Sequence, residues 1–444
     1  MKEFFKVKTS DEVFAIINEF PVGPTEEISL TEGTGRILAE PIISPEDMPP
    51  FSRSTMDGYA VRARDTFGSS ESMPALLTVA GSVEMGASPS RALSGGQTYR
   101  ILTGGMLPPE ADAVVMQEYT QQADETTIEV MKTVAPGEHV ILQGEDLKKG
   151  EEILPQGHRL RPQDIGALAA IGRQKIIVYQ KPRVVIISTG DEIVPIEEMP
   201  PPGKIRDINA YTLWAAILEN GGIPIYMGIV PDRFDDLRTK CAGGIEKADV
   251  ILVSGGSSVG SRDFTAAVFE SFPESRILVH GISVSPGKPT IIARAGKKAL
   301  WGLPGHPASS MIIFWLFVRP LLQRIGGLEP QIITHPQLIK ARLSRNVPSA
   351  QGREDYVRVR ILPDEKHAPF KSPHPPFKKG GAHHIPPLEK GDTGGFLDET
   401  GYTAAPVFGK SGLISTMTRA HGLIRVDMNT EGLDKGSIVD VYLF

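Results

Sequence analysis

The amino-acid sequence predicts a multidomain chain in which an α/β domain is combined with β-rich domains. Patterns typical of strands and helices alternate between residues 183 and 322. Short stretches rich in Gly and Pro precede this region, and short strand-like stretches follow Gly327. Alternating strands and helices are typical of a doubly wound, largely parallel sheet with helices on both faces. A length of 444 residues is enough for several domains.

The sequence of the N-terminal part predicts one short helix, followed by a β-rich domain. Thr9 and Glu12 have capping-box spacing ahead of the apolar pattern VFAIINEF, so a helix should begin there. From residue 45 to 149, stretches such as LLTVAGSVEMGA and TTIEVMKTV have the alternation and turn residues of short strands. The composition of RPQDIGALAAIG then predicts a helix before the α/β region.

The α/β region and the C-terminal region differ in their patterns. In the α/β region we expect strands at 184–187, 225–230, 250–253 and 290–293, and helices at 209–219, 235–247, 264–269 and 308–322. In the C-terminal region, short strands of a separate small β domain are predicted by IKARLSRNV, EDYVRVRIL, GLIRVDM and SIVDVYLF.

Residues 363–401 differ in composition from the strands around them. The segment is rich in Pro, Gly, Lys and His and has few aliphatic residues, so it cannot bury enough apolar surface to offset its ordering entropy. We therefore expect a disordered insertion that the fold does not need. A metal site is the alternative, but the spacing follows no ligand rule for the four histidines concerned: His367, His374, His383 and His384.

Composition excludes several functional classes. The chain has 47 Lys and Arg against 53 Asp and Glu, so it shows no basic footprint for nucleic acid and no membrane-seeking face. The single cysteine, Cys241, excludes an internal disulfide framework and a thiolate metal cluster. The N-terminus lacks the apolar core of a signal peptide, and no stretch approaches the roughly 18 apolar residues of a membrane span. We expect a soluble, cytoplasmic protein.

The stretch DVILVSGGSSVGSRD, residues 249–263, runs from an apolar strand through a glycine-rich loop toward a predicted helix. Unpaired backbone N–H groups converge in such a loop, so it is suited to binding an anion. No Gly-Lys-Ser/Thr follows, and the loop has no dinucleotide-binding glycine pattern. A tight strand-to-helix turn without a ligand remains an equally good interpretation of this stretch alone.

Carboxylates follow three of the predicted strands, where open α/β sheets place their ligands: the pair Asp191 and Glu192, then Asp232, then Asp263. Carboxylates gathered at one edge repel each other unless a cation neutralises them, and Mg²⁺ takes one or two carboxylates together with phosphate oxygens. Taken singly, each is better explained as a helix cap or a loop residue. Their joint placement favours a metal–phosphate site.

Four further loop segments carry polar side chains that a turn without a ligand would not need. VSPGKPT holds Lys288 between prolines, and GLPGHPASS leads into a long apolar helix, so both are candidate anion sites. FSRSTMDGYAVR and RILTGGMLPPEADAVVMQE add Ser, Thr, Arg and Asp in the β-rich domain. The alternatives are a rigid turn around Lys288 and a structural turn at Asp57 and Gly58.

Six motifs, in this order, resemble the molybdopterin molybdenumtransferase family, the MoeA family, which includes the E domain of gephyrin. They are STMDGYAVR, TGGMLPPEADAVVMQE, STGDEI, SGGSSVGSRDF, SPGKPT and GLPGHPAS. The resemblance spans nearly the whole chain. It implies insertion of molybdate into adenylylated molybdopterin with release of AMP, aided by Mg²⁺ or another divalent cation.

The resemblance also implies an elongated homodimer of four-domain subunits, with a cleft between the α/β domain of one subunit and loops of its partner. The domains would be a linking domain at 26–44 and 150–180, a β-rich inserted domain at 45–149, a molybdopterin-binding, adenylyltransferase-like α/β domain at 6–25 and 181–328, and a β-barrel-like C-terminal domain at 329–444. A molybdopterin adenylyltransferase would be the upstream partner. We expect no nucleic-acid and no membrane partner.

The resemblance assigns roles to residues at the matching positions. The catalytic positions would be Asp57, Thr103, Asp146, Glu192, Asp232 and Asp263, the last three also holding the cation. The phosphate or pterin end of the substrate would lie against Gly255, Gly256, Ser257, Ser258 and Gly260. The remaining substrate-binding positions, several in the molybdate region, would be Lys288, Pro289, Pro304, Pro307, Ser309, Arg353 and Ser415, with Ser411 beside the last of these.

The sequence departs from the family pattern at two places. His306 stands where the family has Asn in Pro-Gly-Asn-Pro, and the 363–401 segment has no counterpart. Two rival functions remain. A molybdopterin adenylyltransferase would need only the α/β domain, and a molybdopterin-binding scaffold without activity would not need the carboxylates. A tungstate-using homologue is a further alternative, since the two oxyanions have the same charge and nearly the same size.

Overall fold

The structure is a computed structural model, and it describes residues 7–89, 91–255, 261–328, 338–363 and 401–444, with the backbone alone for 261–263. The predicted loop positions Gly256, Ser257, Ser258 and Gly260 lie outside the described residues, as does the side chain of Asp263. Residues 364–400, with the four histidines of the predicted insertion, also lie outside them. The chain forms two compact units, Glu27–Thr34 with Glu40–Ile176, and Met1–Glu26 with Gly35–Ala39 and Ile177–Phe444.

The helices agree closely with the sequence prediction. The first begins with the expected capping box, in which the Glu12 N–H donates to Thr9 Oγ1 (3.3 Å) and the Thr9 N–H donates to Glu12 Oε2 (2.9 Å). The described helices are α1 (Ser10–Asn18), α2 (Pro162–Ala170), α3 (Asn209–Glu219), α4 (Phe234–Ile245), α5 (Ser261–Glu270), α6 (Pro307–Ile325, with a π-helical turn at Phe314–Val318) and α7 (Ser415–Thr418).

The smaller unit contains the expected β-rich domain. Its sheet consists of β1 (Gly58–Val61), β2 (Ala75–Ser82), β3 (Gln97–Ile101), β4 (Ala113–Met116), β5 (Thr120–Gln122) and β6 (Thr127–Val130), in the order β4-β1-β3-β2-β6-β5. Neighbouring residues of one strand belong to different cores: Val61 packs in one buried cluster and Ala60 in another. Because side chains alternate across a strand, the sheet is covered on both faces.

The larger unit contains a mixed, mostly parallel sheet. Its strands are β7 (Arg183–Thr189), β8 (Ile223–Val230), β9 (Val250–Gly255), β10 (Ser275–His280), β12 (Ile291–Ala295) and β13 (Lys298–Leu303), in the order β8-β7-β9-β13-β12-β10; β11 (Val284–Ser285) lies outside this sheet. Pairings from β8 to β13 are parallel, and those of β12 with β13 and β10 are antiparallel.

Two strands at the antiparallel end were not predicted from the sequence. β13 follows β12 through a turn at Gly296, so the helix that separates strands elsewhere is absent at this point. The other strands were predicted from the alternation of strands and helices, and Lys298–Leu303 does not follow that alternation. Ser275–His280, the edge strand, is only partly buried and therefore lacks a continuous apolar run.

Helices cover both faces of this sheet, as a doubly wound fold requires. One buried cluster joins α1, α3 and α6 to the sheet through residues such as Ile17, Leu213 and Phe317. The opposite cluster contains Leu237 of α4 and Phe269 of α5. The parallel strands between the two clusters are buried on both sides, which explains the uninterrupted apolar run at Val184–Ile187.

One helix has the length and apolar composition of a membrane span, but most of it is buried inside the protein. Helix α6, Pro307–Ile325, is long and apolar enough to cross a membrane by length and composition, although 72% of its apolar window is buried inside the protein. Ile312, Phe314 and Leu321 are buried in the cluster that also contains α1 and α3. The helix is apolar because it lies in the core, where neighbouring elements cover nearly all of its surface.

The C-terminal region forms a closed five-stranded β-barrel. Its strands are β14 (Leu338–Leu343), β15 (Glu354–Pro363), β16 (Tyr402–Pro406), β17 (Gly422–Val426) and β18 (Ile438–Leu443), in the order β15-β16-β14-β18-β17, and β17 pairs with β15 to close the ring. β11 from the α/β domain adds to this sheet, parallel to the start of β15. The predicted barrel-like domain is therefore confirmed, and four of its strands lie where the sequence predicted them, whereas β16 was not predicted.

Shorter strands form separate two-stranded pairs. They are Ile42–Ile43 with Glu152–Leu154, Arg53–Ser54 with Val140–Ile141, Ile193–Val194 with Ile205–Arg206, and Val347–Pro348 with Gly432–Leu433. Two further strands are Thr25–Ser29 and Lys175–Tyr179.

We predict that the barrel tolerates deletion of residues 364–400. Pro363, which the sequence analysis placed in the insertion, belongs to β15 and pairs with Tyr402 of β16, so the two ends of the segment are adjacent antiparallel positions. A short Gly/Ser linker should replace the segment and leave the melting temperature within about 2 °C, since strands β15 and β16 are both retained. Calorimetry of the deletion variant beside the full chain checks this. A loss of more than about 8 °C would show that the segment is structural.

Candidate active site

The carboxyl ends of the parallel strands bring two predicted site segments together. β7 ends at Thr189, whose hydroxyl donates to Asp232 Oδ1 at 2.7 Å, and Asp232 follows the neighbouring strand β8. The backbone N–H of Asp232 lies 3.4 Å from Asp191 Oδ1. Thr189 is buried, whereas Asp232 is half-buried. The Asp232 carboxylate is therefore held by the buried Thr189 hydroxyl and remains partly accessible to solvent.

The glycine-rich loop begins at the same edge. Gly255, the last residue of β9, has φ +130°, and a Cβ atom there would lie 1.8 Å from the carbonyl oxygen of Thr189. Only glycine fits at this position, because the strands approach too closely for any side chain. Glu192 is exposed on this edge. The described residues contain no group of three or more His, Cys, Asp or Glu side chains arranged to hold a metal ion.

A buried asparagine that the sequence analysis did not identify connects this edge to a second site. The Nδ2 group of Asn209, at the start of α3, donates to Ser254 Oγ and to the carbonyl oxygen of Gly305, both at 2.8 Å. Ser254 immediately precedes Gly255, and Gly305 lies in the turn before α6. The Oδ1 atom of Asn209 is buried without a protein partner. Asparagine at a helix start is usually a cap, which is why its role was not recognised from sequence.

The second site is a cleft of about 510 Å³ between the α/β domain and the barrel. Among its lining residues are several that the sequence analysis assigned to substrate binding: Lys288, Pro289, Pro304, Ser309 and Arg353. Ser411 and His306 line it as well. Ser415, another predicted position, begins α7 and is not one of the lining residues. The described residues that line the cleft include no Asp or Glu.

The loop that carries Lys288 is fixed at both ends. The Ile282 N–H donates to the Lys288 carbonyl at 3.0 Å, and the Thr290 hydroxyl donates to the Gly287 carbonyl at 2.7 Å. Gly287 has φ +131° and packs against Ile313 of α6, where a Cβ atom would lie 2.4 Å from the Ile313 side chain. Lys288 itself is exposed, so its ammonium is presented to the cleft from a rigid turn.

Arg353 lines the same cleft and immediately precedes β15. Its Nε atom lies 3.2 Å from Asp355 Oδ1, and this carboxylate also accepts a hydrogen bond from Ser349 Oγ at 2.5 Å. Burial alone would raise the pKa of Asp355, but hydrogen bonds from Ser285 and Ser349 and the charge of Arg353 together lower the pKa of this carboxyl. Asp355 therefore stays ionised and orients the guanidinium.

The third wall is a loop of the barrel domain. The Ala308 N–H, at the start of α6, donates to the Ser411 carbonyl at 3.1 Å. The buried Arg358 donates to the Gly409 carbonyl (2.9 Å) and to Thr416 Oγ1 (2.8 Å), so it holds the loop on both sides of Ser411. Ser309 is 4% exposed and also faces the cleft. These contacts define the wall before any ligand is bound.

The smaller unit holds the other predicted catalytic positions. Asp57 Oδ1 accepts hydrogen bonds from the Thr103 backbone N–H at 2.7 Å and from Thr103 Oγ1 at 2.8 Å. The backbone hydrogen bond is the main reason why the pKa of Asp57 is lowered, and the hydroxyl of Thr103 adds to the effect. Asp146 lies in a separate exposed turn, where its N–H donates to the Met48 carbonyl at 3.0 Å.

Gly58 shows why the turn at Asp57 needs glycine. A Cβ atom at Gly58 would lie 2.0 Å from the carbonyl oxygen of Val115 on the adjacent strand β4. Glycine is therefore required at position 58, because the backbones of two strands approach closely there. Asp57 precedes it and is exposed, so its carboxylate remains available.

The sequence matches three known family profiles along its length. The profile described as MoeA N-terminal region (domain I and II) matches residues 8–172. The profile described as probable molybdopterin binding domain matches residues 185–324. The profile described as MoeA C-terminal region (domain IV) matches residues 395–444.

Relatives and solved structures give the same result. The chain is 37% identical over 336 residues to a molybdopterin molybdenumtransferase of Nostoc sp., covering 75% of this chain and 76% of the relative. It is 34% identical over 342 residues to the enzyme of the same name in Bacillus subtilis, covering 76% and 79%. The solved structure of the molybdopterin biosynthesis MoeA protein from Pyrococcus horikosii superposes with a TM-score of 0.78 at 36% identity, covering 99% of each chain.

We predict a pH-dependent effect of Asp355→Asn on stability. Because the folded-state pKa of Asp355 is lowered, its stabilising contribution is present above the unfolded-state value of about 3.9 and is lost as the pH falls through the folded-state value. The substitution should cost about 1–3 kcal/mol at pH 7. Urea unfolding should show this difference shrinking below about pH 4.

Asp427→Asn is the matched control for Asp355→Asn. Asp427 is ion-paired with Arg425 at 3.1 Å, but its side chain is 72% exposed. Such a surface pair contributes about 1 kcal/mol or less. Equal losses in the two variants, or a loss at Asp355 that does not change with pH, would contradict the buried ion-pair assignment.

Proposed function

This chain belongs to the molybdopterin molybdenumtransferase family, the MoeA family, and on that premise we propose that it inserts molybdate into adenylylated molybdopterin with release of AMP. The chain is a transferase, as its curated relatives are. The observation that carries the proposal is the cleft of about 510 Å³ lined by Lys288, Arg353 and the buried Ser309. Its volume lies within the range of about 300–1,000 Å³ typical of ligand sites.

The cleft has the properties that a tetrahedral oxyanion requires. Two cationic side chains, Lys288 and Arg353, line it, and no carboxylate is among the described lining residues. Lys288 attracts the dianion as a point charge, whereas the planar guanidinium of Arg353 can donate two parallel hydrogen bonds. Both are held in place without ligand, by the Thr290–Gly287 turn and by Asp355 respectively. Preorganised charge of this kind binds an anion without the cost of rearrangement.

The phosphate end of the adenylylated substrate fits the edge that begins at Gly255. The described part of this edge offers the Gly255 backbone, the Thr189–Asp232 pair and the start of α5. A glycine backbone at a helix start presents N–H donors to phosphate oxygens without side-chain obstruction. Asn209 joins this edge to the turn that lines the oxyanion cleft, so the two substrates would be held on one rigid framework.

A divalent cation, Mg²⁺, would be held by Glu192, Asp232 and Asp263. Mg²⁺ usually binds through one or two carboxylates together with substrate phosphates, and the described residues alone form no group of three or more ligands. When bound, the cation neutralises phosphate charge. The contribution of the chain's own residues is to orient the Asp232 carboxylate through a hydrogen bond from the Thr189 hydroxyl.

We extend the proposal to the setting of the reaction. A homodimer would place loops of the smaller unit, with Asp57, Thr103 and Asp146, at the cleft of the other subunit. A molybdopterin adenylyltransferase would supply the substrate, since adenylylation must precede AMP release. The reaction would take place in the cytoplasm, where a chain whose single cysteine is buried needs no disulfide.

Asp263→Asn tests the proposed reaction. If the carboxylate helps to hold the cation or orient the phosphate, the substitution should lower AMP release by about two orders of magnitude or more. Binding of the adenylylated pterin should change much less, because the loop backbone and the pterin contacts are retained. AMP release, substrate affinity and melting temperature should be measured on the same preparation, with molybdate and with tungstate.

Asp440→Asn is a suitable control, because Asp440 is an exposed carboxylate on barrel strand β18. It should leave AMP release unchanged. Unchanged AMP release in Asp263→Asn, with only a lower melting temperature, would mean that Asp263 caps α5 and takes no part in the reaction. No AMP release by the unsubstituted chain with either oxyanion would favour the scaffold alternative.

The dimer is tested by sedimentation velocity at micromolar concentration. The chain of 48.1 kDa should sediment with twice its own mass, because the proposed reaction needs loops from a second subunit. A monomer that retains full AMP release would contradict the shared cleft.

A further inference from the structure

His306 is a third group in the oxyanion cleft that can carry positive charge. It immediately precedes helix α6 and lines the cleft with Lys288 and Arg353. Its Nδ1 atom lies 3.0 Å from the Oγ atom of Ser411, which lines the same cleft from the barrel domain. The amide that the family pattern has at this position cannot be protonated near neutral pH, whereas an imidazole can.

We propose that His306 and Ser411 form a proton-coupled oxyanion-binding pair, in which protonation of the imidazole strengthens the binding of molybdate. The inference rests on the proposed function, because it takes the ligand of the cleft to be a tetrahedral oxyanion. Besides Lys288 and Arg353, the cleft would then have two further hydrogen-bond donors, the His306 imidazole and the Ser411 hydroxyl. Its affinity for the oxyanion would depend on pH.

The hydrogen bond between the two side chains determines what each protonation state offers. When the imidazole is neutral and its Nδ1 accepts from the Ser411 hydroxyl, only the Nε2–H group remains to donate to a ligand. When the imidazole is protonated, Nδ1–H donates to Ser411 Oγ, and the hydroxyl hydrogen is free to turn toward the cleft. Protonation therefore adds one positive charge and also releases one hydroxyl donor.

The charges around His306 determine the sign of the effect. The nearest elements carry mainly cations: Lys288 after β11, Arg353 before β15, Lys410 beside Ser411 and Lys8 beside Val7. Asp355 pairs with Arg353, and Glu12 pairs with Lys8, so both carboxylates are already engaged. A bound dianion favours the protonated, positively charged form of the imidazole. Binding of molybdate should therefore take up a proton.

The pair is held in position by contacts that do not depend on the ligand. The Ser310 N–H donates to the His306 carbonyl at 3.0 Å, and the Ala308 N–H donates to the Ser411 carbonyl at 3.1 Å. Arg358 fixes the loop on both sides of Ser411 through Gly409 and Thr416. Because both backbones are fixed, the His306 and Ser411 side chains are in contact at the cleft in the absence of molybdate.

Calorimetric titration of the full chain with micromolar molybdate between pH 6 and pH 8 tests the proposal. Unsubstituted protein should bind roughly tenfold more tightly at pH 6 than at pH 8, with proton uptake detected by comparing buffers of different ionisation enthalpy. His306→Asn should still bind molybdate but lose both the pH dependence and the proton uptake. Ser411→Ala should bind more weakly than the unsubstituted chain at pH 6 and show a smaller pH dependence.

Two controls separate failure of this proposal from failure of the proposed function. His139→Asn removes a histidine of the other unit, at φ +60° where Asn is tolerated, and should behave like the unsubstituted chain. Lys288→Ala should weaken binding at every pH. If Lys288→Ala weakens binding but His306→Asn keeps the full pH dependence, the proton-coupled pair is wrong and the oxyanion cleft stands. If molybdate does not bind, or Lys288→Ala has no effect, the cleft assignment fails and this inference fails with it.

Discussion

A two-residue parallel pairing, between Val284–Ser285 of the α/β domain and Glu354–Asp355 of the barrel, holds the candidate oxyanion cleft together. The Glu354 N–H donates to the Ser283 carbonyl, and the Ser283 hydroxyl donates to the Gly352 carbonyl, both at 2.9 Å. The pairing places the loop of Lys288 beside Arg353, although 65 residues of sequence separate these two cations. The same two domains are also joined by the hydrogen bond from the Ala308 N–H to the Ser411 carbonyl and by the buried cluster that includes Tyr356 and Leu423.

Buried polar contacts make this junction rigid. Glu354 is buried and accepts hydrogen bonds from Ser10 Oγ at 2.7 Å and Tyr356 Oη at 2.8 Å, while Arg425 lies 3.0 Å away. Burial and the adjacent Glu354 carboxylate raise the pKa of the Tyr356 phenol, so it stays a hydrogen-bond donor. A network that joins α1, the barrel and the cleft is costly to disrupt, because each partner left alone would be a buried, unsatisfied group. The cationic residues of the cleft can therefore be held close together despite their mutual repulsion.

Much of the fold was predictable because its signals are local. The capping box of Thr9 and Glu12 and the apolar runs of β7 and β9 depend on adjacent residues, and they were located from sequence alone. Strand β13 was not predicted, because no helix separates it from β12.

The site was predictable only in part, because its geometry depends on residues far apart in sequence. The resemblance supplied Lys288, Ser309 and Arg353, which line one cleft. It could not supply the contact of Asn209 with Gly305, since an asparagine at a helix start has an ordinary capping role in sequence terms. The His306–Ser411 contact likewise spans two domains and becomes visible only when α6 and the barrel loop are in place.

The most direct test of this account is anomalous diffraction on either side of the molybdenum absorption edge, from crystals of the full chain soaked in molybdate. The account predicts a molybdenum peak in the cleft, within hydrogen-bond reach of the Lys288 ammonium and the Arg353 guanidinium. A peak confined to another part of the molecule, with the cleft free of molybdenum at saturating molybdate, would contradict it.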